Sequence, residues 1–333
     1  MDRRQFLQKT VQFGGVALAS PLLHGSTADA AVSSTVPVAL VKTSDRRFGV
    51  NRAIDLLELE SWRGKDLFVK PNFNSADPPP GSTHIATLST LMHKLKAMKA
   101  GPLTIGERSG MGNTRQVMDD KGAFTLAREV GAQAVVLDEL GREDWELIRK
   151  KNSLWQRGFA FPRMVRKAGG VVQTCCLKTH RFGGHFTLSL KNSVGLAAKY
   201  VPGDAYNYMN ELHTSPNQRR MIAEINAAYR PDLVLLDGVD AFTSGGPESG
   251  NRVAANVVLA GTDRIAMDAV GVAILRYLGT TPEVSRGAIF EQEQIARAVE
   301  LNLGVRKPTE IHLLTGDRAS AEFAECVRPI LDA

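Results

Sequence analysis

Lysine, histidine, asparagine and carboxylate side chains in this 333-residue sequence gather in five polar segments, each following a short apolar run. The first is Lys70-Pro71-Asn72-Phe73-Asn74. The second, Gly106-Glu107-Arg108-Ser109-Gly110-Met111-Gly112, has glycines that would let backbone N–H groups face an anion. No Gly-Lys-Ser/Thr follows it, so it is not a P-loop. The third and densest runs from Leu177-Lys178-Thr179-His180 through His185 to Leu190-Lys191-Asn192-Ser193-Val194-Gly195. The fourth is Leu236-Asp237-Gly238-Val239-Asp240, leading into Ser244-Gly245-Gly246-Pro247. The fifth is Gly261-Thr262-Asp263-Arg264, followed by Asp268 on an otherwise apolar helix.

These types point to a definite chemistry. Lys70, Lys178 and Lys191 would neutralise a carboxylate or phosphate, with Asn72, His84 and Asn192 as further ligand contacts. His180 titrates near neutrality and would serve as general acid or base beside Lys178 and Lys191. A desolvated lysine would instead act as a base or Schiff-base former. Asp237, Asp268 and His185 would orient the histidine or hold a divalent cation, for which carboxylates with amide oxygens are suited. Each residue also has a plainer reading. A strand-end lysine is commonly solvated, a loop histidine commonly hydrogen-bonded, Asp237 and Asp240 are turn formers, Glu107-Arg108 is a surface pair, and Asp263 is a helix cap. The joint occurrence at strand ends is what makes a shared cleft the expectation.

Such residues need a scaffold, and the apolar pattern predicts one. Strands are expected at Val38–Val41, Asp66–Lys70, Leu103–Ile105, Ala134–Leu137, Val171–Cys175, Leu233–Leu236, Val257–Leu259 and Ile311–Leu314. Helices are expected at Val50–Leu59, Ile85–Ala100, Gly122–Val130, Met221–Tyr229, Ala266–Leu278 and Ile289–Leu301. Trp145–Gln156 has helical character with little core signal and reads as a surface insertion. Short apolar strands alternating with helices mean an α/β fold, a mostly parallel sheet with helices on both faces, with two lobes around a cleft as a variant. In such sheets ligands bind at the carboxyl ends of the strands.

The N-terminus carries a separate message. Arg3-Arg4-Gln5-Phe6-Leu7, an uncharged run from Val11 to Leu23 and the small-residue site Ala28-Asp29-Ala30 make residues 1–30 a twin-arginine export signal, cleaved before Ala31. The run is interrupted by Gly14 and Gly15 and is too short for a stable bilayer anchor. The expected partner is therefore the twin-arginine export machinery, the expected compartment the periplasm, and no membrane span is expected after cleavage. Residues 31–36 then form a mobile mature N-terminus and 37–333 a single α/β domain. The net charge of +6 is dispersed, and with 6% aromatics and no reader motif nucleic acid is not an expected partner; a small anionic ligand is. The three cysteines include the adjacent pair Cys175-Cys176, which geometry keeps from bridging each other. No CxxC occurs, so no iron–sulfur cluster is expected in this chain.

Together the segments resemble the family named domain of unknown function 362. The matching pieces are Lys70-Pro71-Asn72, Thr83-His84, Leu177-Lys178-Thr179-His180, Leu190-Lys191-Asn192-Ser193-Val194-Gly195, Leu236-Asp237-Gly238, Gly246-Pro247, Ala260-Gly261-Thr262-Asp263 and Met267-Asp268-Ala269-Val270. The resemblance implies an α/β protein from about residue 37 to 304, in a family some of whose members carry a ferredoxin-like iron–sulfur module. The chain departs from the family pattern at Cys175-Cys176, where a proline and a lysine are common. It departs again at Ser244-Gly245, where an acidic residue is common. Three functions follow as expectations: an enzyme acting on a small anion, metal or cofactor handling through His84, His180, His185 and His213, or a non-catalytic periplasmic binding protein.

Overall fold

Alternating burial along single strands sets the architecture. Val38 and Leu40 of the first strand pack into one hydrophobic core, Ala39 and Val41 into another, and Leu235/Leu236 and Val258/Leu259 divide in the same way. The sheet is therefore covered on both faces, as a buried, mostly parallel sheet must be. The structure, a computed structural model, describes residues 35–333. The export signal, its cleavage site and residues 31–34 lie outside the described residues.

The strands are β1 (Val36–Lys42), β2 (Leu67–Lys70), β3 (Leu103–Glu107), β4 (Gln133–Val136), β5 (Trp145–Ile148), β6 (Phe159–Pro162), β7 (Gly170–His180), β8 (His185–Thr187), β9 (Leu233–Gly245), β10 (Gly250–Gly261) and β11 (Ile311–Leu314). The main sheet runs β11-β1-β10-β9-β7-β2-β3-β4, with β8 added to β7. Pairs β11–β1, β9–β7, β7–β2, β2–β3 and β3–β4 are parallel. Pairs β1–β10, β10–β9 and β7–β8 are antiparallel. The expected α/β class and mostly parallel sheet are thus the observed ones.

Helix Arg264–Tyr277 is apolar almost all round and fills one face of the sheet with Ile295, Val327 and Leu331. Helices Arg46–Leu56 and Ile85–Ala97 fill the other through Val50, Ile54, Leu88 and Leu91. Among the described residues no helix is long and apolar enough to cross a membrane. Cys175 and Cys176 are buried and unbridged.

Three departures from the sequence expectation matter. Trp145–Gln156 is not helical: Trp145–Ile148 pairs with Phe159–Pro162 as an antiparallel hairpin. Trp145, Trp155, Phe159 and Phe161 close a third apolar core, so aromatic burial overrides the helical spacing. Helix Thr114–Asp120 was not anticipated and starts where the Asn113 side chain accepts from Gln116 N. Finally, β7, β9 and β10 run well beyond their apolar cores, so Lys178, Thr179 and His180 lie on a strand rather than in a loop. The β9–β10 turn can approach them because Gly245 and Gly246 adopt positive φ (81° and 69°). A Cβ on Gly246 would lie 2.0 Å from the Thr179 carbonyl oxygen.

Candidate functional site

The carboxyl ends of β2, β3 and β7 open into a cleft of about 420 Å³, a volume suited to a small ligand. Its far wall is the Ser189–Asn192 turn and the segment from Val194 to His213, which the third core supports from behind. Lys70, Asn72, Lys178, His180, Lys191 and Asn192 all line it, so the structure brings these sequence-predicted residues together. Met111, Phe182 and Tyr200 add half-exposed apolar surface to the lining.

Two of the lysines are fully committed to the protein. Lys70 ends β2, and its Nζ meets Glu107 Oε1 at 2.6 Å and donates to the Pro71 carbonyl at 2.7 Å. Glu107 ends the adjacent β3 and also accepts from Phe73 N (2.7 Å) and Arg108 N (2.9 Å). Burial pulls the Lys70 ammonium down and pushes the Glu107 carboxyl up, and each charge opposes that shift in the other. Lys178 Nζ donates to Gly81 O (2.5 Å), Asn72 Oδ1 (3.1 Å) and Pro247 O (3.1 Å). Three neutral acceptors saturate this buried amine, and the carboxylates Asp77 and Glu248 act on it only through space. Asn72 Nδ2 then donates to Asn192 Oδ1 (3.3 Å), which also faces Lys70 Nζ (3.4 Å). The two asparagines therefore link both lysines in one hydrogen-bonded chain.

Lys191 is different. Its side chain is buried and lines the cleft, yet among the described residues its Nζ has no hydrogen-bond or ion-pair partner. Burial, then the charges of Lys178 and Arg108, lower its pKa to about 7. His180 stands beside it, and a Cβ on Gly184 would touch both, 2.6 Å from Lys191 Cε and 3.0 Å from His180 Nδ1. Burial, then Lys191 and Lys178, hold the imidazole well below its ordinary value, so it is neutral. His180 Nδ1, Thr187 Oγ1 and Asn74 Nδ2 are buried lining atoms without a protein partner. Such orphaned groups call for a ligand or water.

Sequence reasoning undervalued several residues. Arg108 is buried, not part of a surface pair; it donates to Ala197 O (3.0 Å) and Val194 O and touches no carboxylate. Lys199 lines the same cleft, 4.0 Å from Asp138. His213 joins the cleft with Nδ1 donating to Met209 O (2.7 Å), which leaves Nε2 as its accepting atom. Glu107 and Arg108 could have been found by the strand-end rule that found Lys70; Lys199 had no local signal, and His213 is expected from the sequence only as a metal-handling imidazole.

Four predicted residues lie elsewhere. His84 is the cap of helix Ile85–Ala97, its Nδ1 accepting from Ala86 N at 3.0 Å, and burial keeps it neutral. His185 is half-buried on β8 opposite His180 and faces Arg219, Glu293 and Glu283 instead of the cleft. Asp237 accepts from Arg46 Nε (2.8 Å) and Thr87 Oγ1 (2.6 Å). Asp268 accepts from Ser189 N (2.7 Å) and Leu190 N (3.1 Å), anchoring the turn that carries Lys191 and Asn192. The expected grouping of Asp237, Asp268 and His185 around a cation is corrected on this geometry. Among the described residues no three His, Cys, Asp or Glu side chains converge as a metal site requires.

The net result is a cleft lined by five cationic side chains (Lys70, Arg108, Lys178, Lys191, Lys199) and one carboxylate, Glu107. Its lining is predominantly basic, with the Lys191 amine and the His180 imidazole among the lining groups.

No curated protein matches the chain. Among solved structures, the lactate racemase apoprotein from Thermoanaerobacterium thermosaccharolyticum is similar over 69% of this chain and 55% of that one, at 18% identity and a TM-score of 0.44. The chain thus spans little more than half the length of that protein. The model of the family described as a domain of unknown function, DUF362, matches residues 67–273, from β2 to within helix Arg264–Tyr277 and across the whole cleft. With more than half of its length matched, the chain belongs to the DUF362 family.

Proposed function

We propose that the cleft binds a small anion, a carboxylate in the first instance, and that Lys191 supplies its main direct contact. The observation that carries this reading is the imbalance of five cations against one carboxylate in a buried lining. Four of those cations already touch protein acceptors, whereas the Lys191 amine points to none, so a bound anion would complete it. Unpaired buried charge is costly, and an anionic ligand relieves that cost. The orphaned atoms of His180, Thr187 and Asn74 add donors and acceptors for the same molecule. In this reading the protein acts in the periplasm after twin-arginine export, which rests on Arg3-Arg4 and the residues that follow.

Oxalate is a suitable probe, and its binding can be followed as a rise in melting temperature. Because Lys191 titrates near 7, oxalate should bind well at pH 6 and progressively less above pH 7. Lys191→Met should weaken it by roughly ten- to a hundredfold, the worth of one charge-assisted hydrogen bond of about 1.5–3 kcal/mol. The same variant should alter the free protein. The folded pKa of Lys191 is lowered from 10.5 to about 7. The unfolded chain therefore binds more protons between those values, and stability rises with pH across that window. Removing the amine should flatten this rise. Oxalate stabilisation that is absent, or unchanged in Lys191→Met, overturns the proposal.

A further inference from the structure

We infer that Lys191 is a covalent nucleophile, whose amine condenses with the carbonyl carbon of a small 2-oxo acid held in the cleft to form an imine. This deepens the anion-binding reading and rests on it. The first support is geometric. Lys70, Lys178 and Arg108 spend their hydrogens on protein acceptors, which suits them to orient a bound carboxylate and not to attack it. Lys191 alone among the buried cations of the lining presents an amine with nothing bound to it. A buried ammonium with that role only would be expected to have a carboxylate beside it; its charged neighbours are instead Lys178 and Arg108.

The second support is the adjacent imidazole. His180 is neutral and its Nδ1 is unpartnered, so it can accept a proton. Gly184 lets the two side chains share one pocket wall, since any Cβ there would collide with Lys191 Cε. The step balances without an oxidant or reductant. The amine nitrogen attacks the carbonyl carbon, a C–N bond forms, and the carbonyl electron pair moves to oxygen. His180 takes one proton from the nitrogen and passes it to the oxyanion, which becomes a hydroxyl, and then carries the second nitrogen proton to that hydroxyl. The C–O bond breaks and water leaves, giving the imine.

At pH 7 about half of Lys191 is neutral amine, since its pKa is about 7. A solvated lysine is neutral at roughly one part in several thousand at that pH, so the neutral fraction of Lys191 is on the order of a thousandfold larger. The experiment uses the full chain at pH 7 with pyruvate and cyanoborohydride, which reduces the imine to a stable adduct, followed by peptide mass mapping. Label should accumulate on Lys191 roughly tens- to a hundredfold faster than on exposed Lys65 and Lys96, because the larger neutral fraction is partly offset by the lower nucleophilicity of a less basic amine. Lys191→Arg should lose the Lys191 adduct and keep the slow background; should that variant misfold, the site mapping in the unaltered protein decides alone. Label distributed evenly over Lys191 and the exposed lysines, or no label on Lys191, overturns the inference. Oxalate separates the two readings. If oxalate raises the melting temperature and Lys191 stays unlabelled, the nucleophile is refuted and the anion cleft stands. If neither oxalate nor pyruvate has any effect, both fall.

Discussion

Two clusters of charged side chains in this protein use the same chemical types and are wired in opposite ways. In one, Arg46 bridges Asp237 (2.8 Å) and Asp240 (2.6 Å), and Arg252 covers the other oxygen of Asp240 (2.9 Å). Two cations meet two carboxylates, and the charge closes on itself. In the cleft, Glu107 is the one carboxylate among five basic lining residues; it pairs with Lys70, Lys199 reaches only Asp138 outside the lining, and among the described residues Lys191 has no partner. The first arrangement ties helix Arg46–Leu56 to β9 and β10. The second leaves basic side chains in excess, which the proposed anion would offset. Charge balance, more than the number of charged residues, therefore separates a structural network from a ligand site.

The largest effect should come from tipping the cleft further out of balance. Glu107→Gln removes its one carboxylate. The Lys70 charge, 1% exposed, would lose its counter-ion. The new amide NH2 would also face one of the backbone donors Phe73 N and Arg108 N, which now have an oxygen each. Breaking a buried pair from one side costs about 3–5 kcal/mol, and urea unfolding should show a loss of that size. A change under about 0.5 kcal/mol would mean that Lys70 and Glu107 are not a charged pair and that the comparison drawn above misjudges the cleft.

The contrast also explains what could be read from the sequence. Lys70 ends a strand buried on both faces, which leaves its side chain either the crevice or solvent, and the structure places it in the crevice. Lys178 and His180 read as loop residues in the sequence, because polar side chains that continue a strand look like the end of that strand. Asp237 follows the same kind of apolar run and still belongs to the other cluster. There β9 inserts Gly238, Val239 and Asp240 against β7, where Cys176 pairs with Asp237 and Leu177 with Ala241. A bulge of this kind has no signature when the strand simply continues. The Lys70–Glu107 pair joins residues 37 positions apart across neighbouring strands, and His84 spends its ring nitrogen on a helix end; both are facts of packing with no local pattern.

A middle-sized effect should come from Asp268, a carboxyl that belongs to neither cluster but holds one in place. Asp268→Leu strips Ser189 N and Leu190 N of their buried acceptor, at about 1–3 kcal/mol. It should weaken oxalate binding as well, because the freed turn carries Lys191 and Asn192. Asp268→Asn keeps an acceptor oxygen and should recover most of both losses. Burial raises the Asp268 pKa from 3.8 to about 8, against the two backbone donors. The folded state then binds more protons between those values, so Asp268 makes stability fall as pH rises from about 4 to 8. Asp268→Asn should remove that descent, and a variant whose pH profile matches the unaltered protein would contradict the assignment.

The smallest effect should come from the balanced cluster, and its smallness is what tests the comparison. Arg252 is 56% exposed, and Asp240 keeps Arg46 when Arg252 is removed. Arg252→Ala should therefore cost no more than about 1 kcal/mol, the range of an exposed ion pair. It should leave oxalate binding and its fall above pH 7 untouched, because no residue of this cluster lines the cleft. Raised salt should shrink even the small stability change, since an exposed pair is screened where the buried Lys70–Glu107 pair is not. If Arg252→Ala instead shifted oxalate affinity tenfold, the two clusters would be coupled through β9, and charge balance would no longer mark where binding ends and scaffold begins.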